Sequence, residues 1–104
     1  MGGEPVTHVY LEQDGNRYTV TAKDHATGSV EMCAAISTLV YTLEGWLRNS
    51  TVLVLECTVE DGHVHIVFAG GSNCETVFDM VTVGFLRLQA TDPEHVCVEL
   101  QIIS

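Results

Sequence analysis

Residues 24–48 read DHATGSVEMCAAISTLVYTLEGWLR, and the fold follows from how this stretch divides. Asp24 to Gly28 is a loop, and Ser29 is a plausible N-cap whose hydroxyl accepts from a free first-turn amide. From there to about Arg48 the apolar residues fall at helical spacing. Met32, Ile36, Leu39, Val40, Leu43 and Leu47 make one stripe. Ala34 and Ala35 favour helix and permit close approach to a sheet. Gly45 weakens the last turns, and Asn49-Ser50 ends them.

The flanks supply strands for this helix to cover. Thr7 to Gln13 alternates, with Val9 and Leu11 on one side and His8, Tyr10 and Glu12 on the other. Asp14-Gly15 is a hairpin signal, extended by Asn16, and Arg17 to Lys23 is the second strand of that hairpin. Beyond the helix, Thr51 to Val59 reads as a strand. Its start is apolar on both faces, which predicts a central position in the sheet. Glu60-Asp61-Gly62 is a turn, and His63 to Phe68 alternates as the next strand. Gly70-Gly71 breaks the chain, and Ser72 with Glu75 three residues later forms a capping box. The helix that follows runs to about Thr91, with Val77, Met80, Val81, Gly84, Phe85 and Leu88 expected inside. Thr91-Asp92-Pro93-Glu94 closes it, and Val96 to Ile103 is a final strand.

The order is β-β-α-β-β-α-β. Two helices that are each apolar on one face predict an α+β two-layer sandwich, both helices on one face of a mostly antiparallel sheet. The 104 residues suit one domain, residues 1–104, with a core that needs neither disulfides nor metal. No linker, repeat or low-complexity segment argues for a second one.

Composition excludes several function classes. Only Arg17, Lys23, Arg48 and Arg87 oppose fourteen acids, for a net charge of −10, and four dispersed cations make no basic patch for nucleic acid. No apolar run approaches the roughly 20 residues that span a bilayer, so no membrane partner is expected. Residues 1–6 carry no basic region and no apolar core of a secretory signal, so a cytoplasmic location is expected. Cys33, Cys57, Cys74 and Cys97 form no C-x-x-C pair and are expected as thiols. For Cys57, Cys74 and Cys97 the expected role is that of a small buried hydrophobe.

The candidate chemistry sits at the start of the quoted stretch. His25 ends a strand, Gly28 lies in the loop, and Cys33 falls about one turn into the helix. A helix N-terminus and a neighbouring imidazole both lower a thiol pKa, and the thiolate is the nucleophile. Such a pair suits acyl transfer; a structural cysteine beside an unrelated histidine is the competing explanation. Ser37, one turn on, lies on the same face as Cys33, where it can bond near the thiol or to its own i−4 carbonyl. Asp24 adjoins His25, but neighbours on an extended chain point apart, so loop polarity explains it as well as orientation of the imidazole does. His63-x-His65 puts two imidazoles on one strand face; without a second ligand pair, no metal is expected, and no cofactor. Trp46 is read as packing.

These residues resemble a known signature. Asp24-His25-Ala26, Gly28 and the run Cys33-Ala34-Ala35-Ile36-Ser37 are similar to the pattern G-H-A…G-x-D-x-V-C-A-A-V-S of Prp, the ribosomal-processing cysteine proteases of Firmicutes and related bacteria, the YsxB-like family. Gly62-His63-Val64-His65-Ile66 resembles the hairpin of that family, and the element order agrees along nearly the whole chain.

The resemblance implies a cysteine endopeptidase that removes the N-terminal extension of large-subunit ribosomal protein twenty-seven. It implies His25 as base, Cys33 as nucleophile and Ser37 as support. It also implies a homodimer, a loop between His25 and Cys33 that orders around substrate, and a basic ribosomal protein precursor as partner, to which the chain's acidity is suited. Three positions depart from the pattern: Asp24 replaces a glycine, the His-to-Cys loop is shorter, and Val30 replaces an aspartate. These departures sustain an alternative, a non-catalytic module of the same fold that binds a basic protein without cutting it.

Overall fold

A computed structural model describes residues 6–24, 30–60 and 62–103. The elements are β1 (Thr7–Asp14), β2 (Arg17–Lys23), α1 (Val30–Arg48), β3 (Leu53–Glu60), β4 (His63–Ala69), α2 (Ser72–Thr91) and β5 (Val96–Ile103). They form a five-stranded sheet in the order β3-β4-β2-β1-β5. The β1–β2, β2–β4 and β3–β4 pairs are antiparallel, and β1–β5 is parallel. The expected α+β sandwich with a mostly antiparallel sheet is therefore the observed one.

Strand alternation decides which face the helices cover. Val9 and Leu11 of β1, Tyr18, Val20 and Ala22 of β2, and Val64, Ile66 and Phe68 of β4 are all buried in one core. Met32, Ile36, Val40, Leu43 and Leu47 of α1 pack into it, as the stripe requires, with Leu39 half-buried beside them. Tyr18 lies 5.4 Å from Phe68 and 5.1 Å from Phe78, centroid to centroid, so three aromatic rings tie β2, β4 and α2 together. Such pairs add about 0.5–1.5 kcal/mol each beyond simple burial. No helix among the described residues is long and apolar enough to cross a membrane.

The second helix differs from its reading in two respects. Its N-cap is Gly71, and no side chain caps it. Ser72 already belongs to the first turn, one position too late for its hydroxyl to close a capping box; the amide of Glu75 instead donates to the carbonyl of Gly71 at 3.2 Å. Its buried face is Cys74, Phe78, Val81, Thr82 and Phe85. Met80, expected inside, is 69% exposed. Gly84 meets Leu39 of α1, so Val77, Gly84 and Leu88 form the flank toward that helix, while Cys74, Phe78, Val81 and Phe85 face the sheet.

The apolar start of β3 does not make it central. It is the edge strand, paired only with β4, and its register slips between Val54 and Glu56 so that Leu55 is a bulge. Glu60, read as part of the turn, is its last residue. Cys57 on β3 and Cys97 on β5 are exposed, against the expectation that both are buried; only Cys74 is. Cys97 is exposed because it faces the open side of the sheet, in register with His8, whereas Cys57 shares the helix side with Ile66 but lies on an edge strand.

Candidate active site

Cys33 is the fourth residue of α1, in its first turn, and is half-buried. The helix carries it there because α1 begins at Val30, close behind the predicted cap. Amides of a first helical turn have no partner within the helix, and their dipoles favour negative charge nearby. The pattern's aspartate has no equivalent: Val30 is 81% exposed at this position. Ser37 is half-buried one turn further on, with no hydrogen-bond partner among the described residues, while its neighbour Thr38 bonds back to the carbonyl of Ala34 at 2.8 Å.

Asp24 leaves β2 with φ of 66°. Its amide donates to the carbonyl of Gly62 at 2.7 Å, and its carbonyl accepts from the Thr7 hydroxyl at 3.4 Å. A glycine adopts this left-handed conformation freely, and aspartate is among the few other residues that tolerate it. The substitution of the pattern's glycine thus keeps the backbone path. His25, Gly28 and Ser29 lie outside the described residues.

The four thiols are not equivalent. Burial pushes the Cys74 thiol up. Burial also raises that of Cys57, the Glu44 carboxylate adds to the shift, and Arg48 offsets part of it. Both changes disfavour the thiolate and leave these two poorly suited to nucleophilic work.

The open face of the sheet carries polar groups that the sequence reading treated singly. In register, Cys97, His8, Lys23 and His63 form one row across β5, β1, β2 and β4; Glu99, Tyr10, Thr21 and His65 form the next. Both rows border a hollow of about 500 Å³. His65 is held at both ring nitrogens, Nε2 by Glu56 at 2.9 Å and Nδ1 by the Thr21 hydroxyl at 2.9 Å. With Nε2 protonated toward the carboxylate, Nδ1 accepts from Thr21. Strand alternation and the β1–β2 hairpin were the available signals, but the pairing of β2 with β4 and of β1 with β5 was not. Among the described residues no group of three His, Cys, Asp or Glu side chains is placed to hold a metal ion.

No sequence-family model matches the chain. No curated protein matches it by sequence either. Solved structures do match by shape. SMU.848 from Streptococcus mutans is similar with a TM-score of 0.71 at 20% identity, over 93% of this chain and 98% of that one. The essential ribosomal processing protease Prp from S. aureus, in complex with a substrate peptide, is similar with a TM-score of 0.73 at 14% identity, over 91% of this chain and 99% of that one. The same protease with a covalently linked product peptide gives 0.76 at 13% identity, over 91% and 99%. The fold implied by the resemblance is therefore the fold observed.

Proposed function

We propose that this protein is a cysteine endopeptidase of the Prp type, with Cys33 as nucleophile and His25 as base. The observation that carries the reading is the position of Cys33: half-buried in the first turn of α1, in a fold shared with a protease that binds peptides. His25 takes the thiol proton, and the thiolate attacks the scissile carbonyl. First-turn amides stabilise the oxyanion, and the imidazolium then protonates the leaving amine. Water hydrolyses the thioester and restores the thiol. The raised thiols of Cys57 and Cys74 count against those two as the nucleophile.

The substrate in this reading is the basic precursor of large-subunit ribosomal protein twenty-seven, cut at its N-terminal extension by a cytoplasmic homodimer. The net charge of −10 suits attraction to such a partner. Ser37, Gly28 and Asp24 are the supporting residues of the site in this reading. The test is cleavage of that precursor by wild type and by Cys33→Ala, with iodoacetamide labelling at neutral pH. Wild type is expected to cut and the variant not to, with Cys33 alkylated before Cys57 and Cys74. His25→Gln is expected to slow that alkylation roughly tenfold. Equal cleavage by both proteins, or none by either, overturns the assignment.

A further inference from the structure

We propose that the free edge of β3 takes up an extended segment of the peptide substrate as a sixth strand, apolar residues against Leu53–Leu55 and basic residues against Glu56–Glu60. The inference rests on the protease reading for the identity of the ligand as a substrate.

An edge strand presents unpaired N–H and C=O groups, and proteins usually blunt such edges with proline, charged side chains, bulges or brevity. On β3 the bulge at Leu55 and the carboxylates of Glu56 and Glu60 limit pairing to a segment whose charge suits them. β3 has eight residues, LVLECTVE, and neither proline nor lysine. Its one irregularity is the bulge at Leu55. Beyond it, Glu56 to Glu60 pairs regularly with Val67 to His63, which leaves a straight run available on the outer side.

The surface along this edge is graded. Leu53 is 60% exposed, Leu55 49% and Val54 39%, so the first part is apolar. Glu56 and Glu60 follow, both exposed and on one face of the strand, and Glu31 is exposed in the first turn of α1. Arg48 is paired with Glu44 at 3.2 Å and Arg17 with Asp14 at 3.7 Å. Lys23 stands two strands in from Glu60, and Glu56 already holds His65 at 2.9 Å, which leaves Glu60 as the carboxylate on this edge without a partner among the described residues. An extended chain with apolar residues followed by lysine or arginine complements that gradient.

The acidic end of the edge is the end at which Cys33 stands. Glu60 pairs with His63, His63 with Lys23, and the amide of Asp24 bonds to Gly62, so β3 finishes where β2 leaves for α1. On α1 the flank toward α2 carries Leu39, in contact with Gly84. Cys33, Ser37 and Glu44 share the opposite flank by helical spacing. α1 contacts β3, and Glu44 lies close enough to the Cys57 thiol of β3 to add to the rise that burial causes, so β3 runs along that flank. The other free edge, β5, lies four strand spacings away, about 19 Å.

The experiment uses the full chain with Cys33→Ala, labelled with ¹⁵N, and a synthetic peptide of about ten residues, apolar in its first half and lysine-rich in its second. Amides of β3 are expected to shift and to gain protection from exchange. N-methylation of alternate peptide residues is expected to weaken binding at least tenfold in one register and little in the other, the mark of strand addition. Glu56→Gln with Glu60→Gln is expected to weaken binding about tenfold and to flatten its salt dependence.

Shifts confined to the open sheet face overturn the proposal, as does equal loss in both N-methyl registers. Protection of β3 that grows with protein concentration in the absence of peptide also overturns it, by assigning the edge to a second copy of the chain. Binding is read without cleavage, so the two readings fail separately. A peptide that docks on β3 and is never cut by wild type upholds the docking and removes the protease. A peptide cut at Cys33 without involving β3 removes the docking alone.

Discussion

Gly84→Ala tests how α2 holds α1, the helix that carries Cys33. A Cβ at Gly84 would stand 2.7 Å from Cδ2 and 3.1 Å from Cδ1 of Leu39. Carbon atoms pack best at about 3.5–4.0 Å, so the overlap is close to 1 Å. Leu39 is half-buried between the helices and must change rotamer or push α1 aside, at a cost of about 1–3 kcal/mol. Alanine in place of glycine in a helix returns about 1 kcal/mol. The net expectation is a loss of about 0–2 kcal/mol. In a Leu39→Ala background the obstacle is gone, and Gly84→Ala is expected to stabilise by about 1 kcal/mol. The interaction energy of the double-mutant cycle is therefore about 1–3 kcal/mol. Urea unfolding followed by circular dichroism measures it, with unchanged slope as the control. If Gly84→Ala stabilises equally in both backgrounds, the close contact is not what keeps this position small. Should α1 move to relieve the overlap, the alkylation rate of Cys33 changes in Gly84→Ala and returns in the double variant.

Three further outcomes follow from buried or constrained groups. Thr82 hides its hydroxyl with no partner among the described residues, so Thr82→Val is expected to stabilise by about 1 kcal/mol in the same unfolding assay. Burial raises the Tyr18 phenol, and Glu75 adds to the shift. Its stabilising contribution is present below about pH 10, the unfolded value, and is lost as pH rises through the folded one. Urea midpoints at about pH 7 and pH 11 are thus expected to fall further apart in wild type than in Tyr18→Phe. Asp24, at φ of 66°, is expected to accept glycine within about 1 kcal/mol and to lose about 1–2 kcal/mol as valine, whose branched side chain resists this conformation. Equal stability of the two variants counts against a left-handed requirement there.

Legibility in the sequence tracked how local each signal was. The α1 stripe and the alternation of β1, β2 and β4 depend on spacing along one element, and each was readable because helix and strand have fixed periods. Cys33 was readable for the same reason: its place in the first turn follows from where the stripe begins. Met80 and Phe78 mark the limit. They lie two residues apart, on opposite flanks of the stripe through Val77, Val81, Gly84 and Phe85, and the contact of Gly84 with Leu39 turns Phe78 inward and Met80 outward. The capping box failed by one position, because Gly71 and Ser72 both satisfy the preferences of a helix start.

By itself, then, the sequence determined the seven elements, their order, the face that β1 buries, the alternation of β4 and the turn that carries the candidate nucleophile. The two hairpins, β1 with β2 and β3 with β4, were legible from their Asp-Gly turns; tertiary structure alone joined β2 to β4 and β1 to β5. Pairing of that kind joins residues far apart in the chain, and no local period encodes it. That is why β3, apolar on both sides, could be read as central and yet lie at the edge, with Cys57 exposed on it. It is also why His63 and Cys97 looked unrelated to His8 and Lys23 until β4 paired with β2 and β5 with β1 and set all four in one row.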